Sequence, residues 1–390
     1  MEARELVALA PAESPNLQRA INLFKDGDWA GAARILINLY TSSSFTNKFE
    51  RATSDQFPLR MTIIEFSKGL DRTIINTAYQ FTKDEVIPAD MTSDIYYDEP
   101  NDQLIFAPAL FTSETQARID ERILNYEALI AAHPEQNFFL FHHQTLENSK
   151  YHPMNIHFPM ADHGQALEYF ERNLPEGLAF GKFLLTGMDD HLQYYYRTDH
   201  HWNVHGILRA YDGIHTLLNS KHTDLSDKLV VKDIITFPDI EFLGLMARRT
   251  FSPVSSEEFV VEVIDFAPYE MLINNQVIDQ DLRAAYFEGN YARIPYINHY
   301  NEFYGFITDL TEYTFENASN RSLLIIGSSY RYALDPLIAS HYHKTYTVDL
   351  RYSTDFSLSE FLETHNVDDI LIIGDNTVGF EDTEYWKIKP

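Results

Sequence analysis

Three short apolar runs near the C-terminus, spaced by helix-forming stretches, restrict the fold more than any other feature of the chain. Leu323–Ile326, Thr345–Leu350 and Asp369–Ile373 read as strands. Gly327-Ser328-Ser329-Tyr330 follows the first as a tight turn, and Ala333–Tyr342 reads as a helix. Ser357 with Glu360 caps the helix before the third strand. Strands that alternate with helices over short loops need crossover connections, so the spacing predicts a parallel sheet in an α/β fold. Ligands of such sheets sit beyond the carboxyl ends of the strands. The Ser328-Ser329 turn lies at such an end.

The rhythm continues upstream. Ser113 with Gln116 reads as a capping box, and Ile119, Ile123, Tyr126 and Ile130 form one helix face. Asn137–His142 reads as a buried strand, 164–175 as a helix and Phe180–Leu185 as a strand. Val204, Ile207, Tyr211, Ile214 and Leu218 line a helix that begins near Trp202. Leu229–Phe237 and Phe259–Ile264 are strand-like with few helical signals between them. The first 45 residues read as short amphipathic helices. Phe49 to Thr82 looks helical again, with Met61, Ile64, Phe66 and Leu70 as its apolar positions. Residues 84–105, polar and rich in Pro and Asp, read as a loop. The expected organisation is a helical segment over 1–82 and an α/β domain over 83–390, with an inserted β-rich lobe near 225–300.

Composition narrows the partners. The chain carries 58 acidic against 30 basic residues, a formal net charge of −28. Such a charge repels phosphate backbones and anionic membrane surfaces, so no nucleic acid is expected. No run approaches the roughly 18 apolar residues of a spanning helix. Cysteine is absent, which removes disulfides, thiolate nucleophiles and Cys-ligated metals.

Two segments carry groups suited to chemistry. One is Arg197-Thr198-Asp199-His200-His201-Trp202, just before a helix; the other is the Ser329 turn. A serine nucleophile needs a base within hydrogen-bond reach, and the base needs an orienting carboxylate. His201 and Asp199 suit those tasks, with Ser329 supplying the hydroxyl. Bland readings stand beside this one. A serine at a strand end is a common helix cap, and Asp199 could cap the helix that follows. Asp199, His200, His201 and His205 could instead hold a metal, although the HExxH spacing is missing. His142-His143 reads as a solvent-facing pair.

Thr198-Asp199-His200-His201-Trp202 resembles the signature of the bacterial DHHW proteins, relatives of alginate O-acetyltransferases of the AlgX and AlgJ type. Further blocks are similar in order: Glu2–Leu6, Phe49-Glu50-Arg51, Asp55–Arg60, the Ser329 turn and Val348-Asp349-Leu350-Arg351-Tyr352. The resemblance implies an SGNH-hydrolase-like parallel sheet flanked by helices. It implies Ser329 as nucleophile, His201 as base and Asp199 as orienting carboxylate, with no metal and no cofactor. Arg351 and Tyr330 are the substrate-binding candidates, with pinning of the strand end the favoured reading of Arg351, and Trp202 is either a support beneath the histidine or a core aromatic. The family's Asp before the nucleophile is Ser328 here, a residue that can still cap a helix.

The expected activity is acyl transfer to a hydroxyl of a polysaccharide or other glycan, or esterase action when water is the acceptor. An acyl-donor protein in the membrane is an expected partner. The Glu2–Leu6 match implies an anchor upstream of Met1 and an extracytoplasmic, cell-envelope location. The 24 Tyr and 27 Phe suit sugar stacking. Two readings compete: a glycan-binding or assembly module without turnover, and a metal-dependent hydrolase. Covalent labelling of Ser329 separates the first from an enzyme, and sensitivity to a chelator singles out the second.

Overall fold

The computed structural model describes residues 60–79, 85–251, 254, 257–273, 276–277, 297–305, 310–316, 318–353 and 356–382. The chain divides into two compact units, Met1–Ala78 with Asp90–Ser93, and Tyr79–Ala89 with Asp94–Pro390. The helices expected before residue 45, and most of the N-terminal blocks that carry the family resemblance, lie outside the described residues.

In the first unit, helix α1 (Arg60–Tyr79) buries Ile75 and Lys68, and the Lys68 ammonium pairs with the buried Asp90 carboxylate. Leu70, expected on the apolar face, is exposed.

The second unit opens with an antiparallel sheet of β1 (Val86–Pro88), β2 (Ile95–Asp98) and β3 (Gln103–Phe106), where a loop was expected. Its Pro and Asp residues mark the turns. Pro88 ends the edge strand, Pro100 sits in the 3-10 turn Glu99–Asn101, and Asp102 takes a left-handed φ of 48°. Helix α2 (Ser113–Ala132) follows, capped one residue earlier than expected. The Thr112 hydroxyl accepts from Thr115 N–H, and the Thr115 hydroxyl accepts from Thr112 N–H.

Next come β4 (Asn137–His143), α3 (Gln165–Arg172), β5 (Leu178–Phe183), α4 (Met188–Tyr194) and α5 (Val204–Asn219). Strands β6 (Val231–Phe242) and β7 (Glu257–Ile264) form a separate antiparallel pair around the short helix α6 (Leu245–Thr250). Strands β8 (Tyr269–Ile273) and β9 (Gln276–Val277) instead join the main sheet. After α7 (His299–Tyr304) the chain runs through β10 (Leu310–Phe315), β11 (Ser319–Gly327), α8 (Asp335–Ala339), β12 (Tyr342–Val348), α9 (Leu358–Thr364) and β13 (Asp369–Gly374). Helix α8 is shorter than the Ala333–Tyr342 expectation: Pro336 can occupy only its first turn, and Tyr342 already belongs to the sheet.

The main sheet has the order β5-β4-β13-β11-β12-β10-β8-β9. Its first five strands are parallel; β10, β8 and β9 extend it antiparallel. Period-two alternation explains why both faces are covered. Phe139, Phe141, Leu323, Ile325, Leu371 and Ile373 pack with α5 on one face. Phe138, Leu140, Leu324, Ile326, Ile370 and Ile372 pack with α2, α3 and α9 on the other. The expected α/β architecture holds, and β11 delivers Ser329 to its carboxyl edge.

Candidate active site

Ser329 opens a 3-10 turn, Ser329–Arg331, directly after β11. Arg331 N–H donates to Ser328 O at 3.0 Å and Tyr332 N–H to Ser329 O at 3.2 Å. The buried Arg331 guanidinium pins the turn from below, donating to Gly327 O at 3.2 Å and pairing with Asp335. Ser328 stands at the N-cap position, but its hydroxyl makes no cap bond. The expectation that it caps is therefore not met. The residues after it form only a 3-10 turn, which presents few free N–H groups.

The segment before α5 is held from several sides. Glu257 on β7 accepts from Arg197 N–H at 2.6 Å, Thr198 N–H at 2.8 Å and the Thr198 hydroxyl at 2.7 Å. The Thr198 hydroxyl in turn accepts from Gly244 N–H at 3.1 Å. Asn203, not Asp199, caps α5, accepting from His205 and Gly206 N–H. Asp199 is thus released from capping.

Asp199 Oδ1 accepts from His201 N–H at 3.0 Å and lies 2.6 Å from His201 Nδ1; Oδ2 accepts from Leu245 N–H at 2.5 Å. That last amide approaches because residue 244 is glycine: a Cβ there would meet Asp199 Cβ at 2.3 Å and Thr198 O at 2.4 Å. Burial alone would push the Asp199 carboxyl up. His201 and His200 beside it outweigh burial and hold it well below the usual carboxylate range. An ionised carboxylate has no proton to give, so the Nδ1 position carries the imidazole proton and Nε2 is left to accept. His201 Nε2 lies 2.7 Å from Ser329 Oγ. Ser329, His201 and Asp199, separated by 128 and 2 positions along the chain, form one hydrogen-bonded line.

Aromatic rings pack around this line. Tyr300 of α7 stacks on His201 with centroids 4.1 Å apart. Trp202, fully buried, stands edge-on to Tyr330 at 5.2 Å and contacts His143 at 5.0 Å. Tyr330 is buried, and its hydroxyl donates to His200 O at 2.6 Å, which builds it into the wall of the site. Arg351 lies bidentate on Asp349, at 3.0 Å and 2.6 Å, and Tyr332 reaches the same carboxylate at 3.2 Å. These bonds give Arg351 a structural anchor at the end of β12.

His200 sits 3.3 Å from Asp199 Oδ1. Burial first, then His201, push its imidazole down to about 3 despite Asp199, so it is uncharged at neutral pH. The ligand atoms of Asp199, His200 and His201 lie within 4.8 Å of one another, a set that could take a cation. His205, the other donor considered, is exposed and outside that set. Both His201 nitrogens are already engaged, so a cation there would have to displace Asp199 or Ser329. His142 and His143 are buried, contrary to the solvent-facing expectation. His142 lies 2.9 Å from Asn376 Oδ1, and its ring is driven down to about 4 chiefly by burial.

Sequence reasoning missed Glu257, the Leu245 amide and Tyr300. Only the glycine before Leu245 offers a hint in the sequence.

No family model and no curated protein matches the chain. Among solved structures it is similar to Bacillus cereus PatB1 with a sulfonyl adduct: TM-score 0.59, 17% identity, covering 76% of this chain and 97% of that one. It is similar to a DHHW family protein from Eubacterium siraeum at TM-score 0.56 and 17% identity, covering 78% of this chain and 94% of that one. Pseudomonas aeruginosa AlgX lies further off, at TM-score 0.40 and 12% identity over 73% of this chain and 63% of its own. The chain shares with PatB1 and the Eubacterium siraeum protein a mixed α/β fold, a mostly parallel sheet flanked by helices.

Proposed function

We propose that the protein is a serine-dependent O-acetyltransferase that moves an acyl group onto a hydroxyl of a cell-surface or exported polysaccharide. The observation that carries this reading is the Ser329–His201–Asp199 line at the carboxyl edge of the parallel sheet, with contacts of 2.7 Å and 2.6 Å. The O-acetyltransferase kind of its structural neighbour PatB1 supports it.

In this mechanism Ser329 Oγ attacks the donor ester carbonyl while its proton passes to His201 Nε2. This mechanism assigns stabilisation of the developing oxyanion to the Ser329 backbone N–H at the start of the 3-10 turn. Collapse expels the donor alkoxide, which takes the proton from His201 and leaves an acyl-serine. A glycan hydroxyl then attacks while His201 takes its proton, and collapse breaks the bond to Ser329 Oγ, which takes that proton back from His201. Asp199 keeps the imidazole in the tautomer each half-reaction needs. Work on a polysaccharide places the protein outside the cytoplasm in this reading.

A sulfonyl fluoride or fluorophosphonate probe with peptide mapping, beside acetyl-ester turnover of wild type and Ser329→Ala, tests the proposal. Labelling at Ser329 and loss of turnover in the variant are expected. Undiminished ester cleavage by Ser329→Ala would end the acyl-enzyme reading. A glycan-binding module without turnover draws on the uncapped Ser328, and an unlabelled, inactive wild type that still binds glycan favours it.

A further inference from the structure

Among the described residues, three rings approach the His201 imidazole, and only one of these lies parallel to it. His200 is tilted by 38° at 4.0 Å and Tyr330 by 52° at 5.0 Å. Tyr300 is 13° from parallel with its centroid at 4.1 Å, so it covers one face of the imidazole. The covering ring is itself fixed. Tyr300 is fully buried on α7, whose cap Asn298 accepts from Asn301 N–H. It packs on Tyr304 at 4.9 Å, and the Tyr304 hydroxyl donates to Glu262 at 3.2 Å. Burial, then Tyr196, keep the Tyr300 phenol protonated well above its ordinary range. His201 therefore faces a neutral π-surface, whose negative face attracts a cation.

We propose that Tyr300 is a positioning residue for His201. Its face fixes the imidazole plane between Asp199 and Ser329, and it stabilises the imidazolium formed when Ser329 gives up its proton. In that step the O–H bond of Ser329 breaks, its electron pair forms the new bond to the acyl carbon, and the proton binds His201 Nε2. The uncharged imidazole gains less from the same ring, so the interaction is stronger in the transition state than in the ground state. The proposal rests on the acyl-transfer reading above.

The test compares kcat and KM for an acetyl ester in wild type, Tyr300→Phe, Tyr300→4-cyanophenylalanine and Tyr300→Leu, with thermal midpoints and Ser329 labelling alongside. Tyr300→Phe keeps the ring face and is expected to stay near wild type. Tyr300→Leu removes it and should lower kcat roughly tenfold at unchanged KM. The cyano ring fills the same space but withdraws charge from its face, so its kcat should fall between those of the Phe and Leu variants. Should the Leu variant fail to fold, the cyano variant alone decides. A cyano variant as fast as Tyr300→Phe, or a Phe variant as slow as the cyano one, overturns the proposal while wild type stays active and labelled. A wild type that neither turns over esters nor takes label at Ser329 overturns the acyl-transfer reading, and this proposal with it.

Discussion

Among its described residues, the second unit holds two buried histidine–aspartate pairs of equal length. His201 lies 2.6 Å from Asp199, and His222 lies 2.6 Å from Asp369. Burial does not separate them either: the histidines are 4% and 5% exposed, the aspartates 2% and 0%. Their places in the sheet do. Asp369 begins β13 beside Leu323 and Asn137, at the amino edge of the parallel strands. There the Tyr342 hydroxyl donates to it at 2.8 Å and Asn137 Nδ2 at 2.8 Å, closing a polar knot where helix α5 ends. Asp199 lies instead with the Ser329 turn at the carboxyl edge, and its histidine reaches on to that hydroxyl. A short His–Asp contact is therefore no signature of chemistry by itself. The edge of the sheet it occupies, and what the far ring nitrogen meets, distinguish a candidate site from a structural knot.

Substitution can break that distinction. Ser329→Ala should lower acetyl-ester turnover by about 10³-fold or more and leave the thermal midpoint near wild type. His222→Gln should leave turnover within about threefold, since no acyl-transfer step passes through the amino edge. Equal losses from the two variants would erase the comparison. Asp199→Asn sharpens it. An amide offers N–H where Asp199 Oδ1 accepts, favouring the wrong imidazole tautomer, and an expected loss of about 10²–10⁴-fold follows. The matching Asp369→Asn should keep kcat while lowering stability by about 2–4 kcal/mol, because a buried set of donors loses its charged acceptor. Chemical denaturation of both variants, read beside their turnover, checks the crossed pattern.

The sequence carried the elements whose information is local. Leu323–Ile326 and, after Asp369, Ile370–Ile373 are short continuous apolar runs bounded by turns, so β11, β13 and the Ser329 turn between strand and helix could be read directly. The Asp199 and His201 spacing could be read too, because the pair contacts across two residues. What supports them is nonlocal. Glu257 is one of 58 acidic residues and Tyr300 one of 24 tyrosines, and nothing near either marks it. The Leu245 amide has no side-chain signature at all. Strands β1–β3 were hidden because three or four residues per strand leave too short an alternation to outweigh the Pro and Asp of their turns. Asp199 could be read as the cap of α5, but Asn203 is as good a cap residue, and the bonds it accepts from His205 and Gly206 give it that place.

The smallest expected effect concerns acid. His201 and His200 hold the Asp199 carboxyl below its usual range against burial, so below about pH 4 the unfolded chain binds a proton that the native state refuses. The stabilisation from Asp199 is then full above that pH and drains as pH falls, with a slope of at most about 1.4 kcal/mol per pH unit for one proton. Asp199→Asn, which cannot titrate, should flatten the stability curve of wild type in that window. Glu381 provides a control of opposite sign. Burial, with Asp162 and Asp375 near, pushes it up to about 7 although Asn376 donates to it. Its contribution is therefore full below about pH 4.5 and lost as pH rises through about 7. Glu381→Gln should change the curve only in that higher window. Denaturation midpoints at pH 3, 4, 5.5 and 7.5 separate the two. A wild type and Asp199→Asn that lose stability in parallel below pH 4 would mean that Asp199 is not held ionised by its histidines.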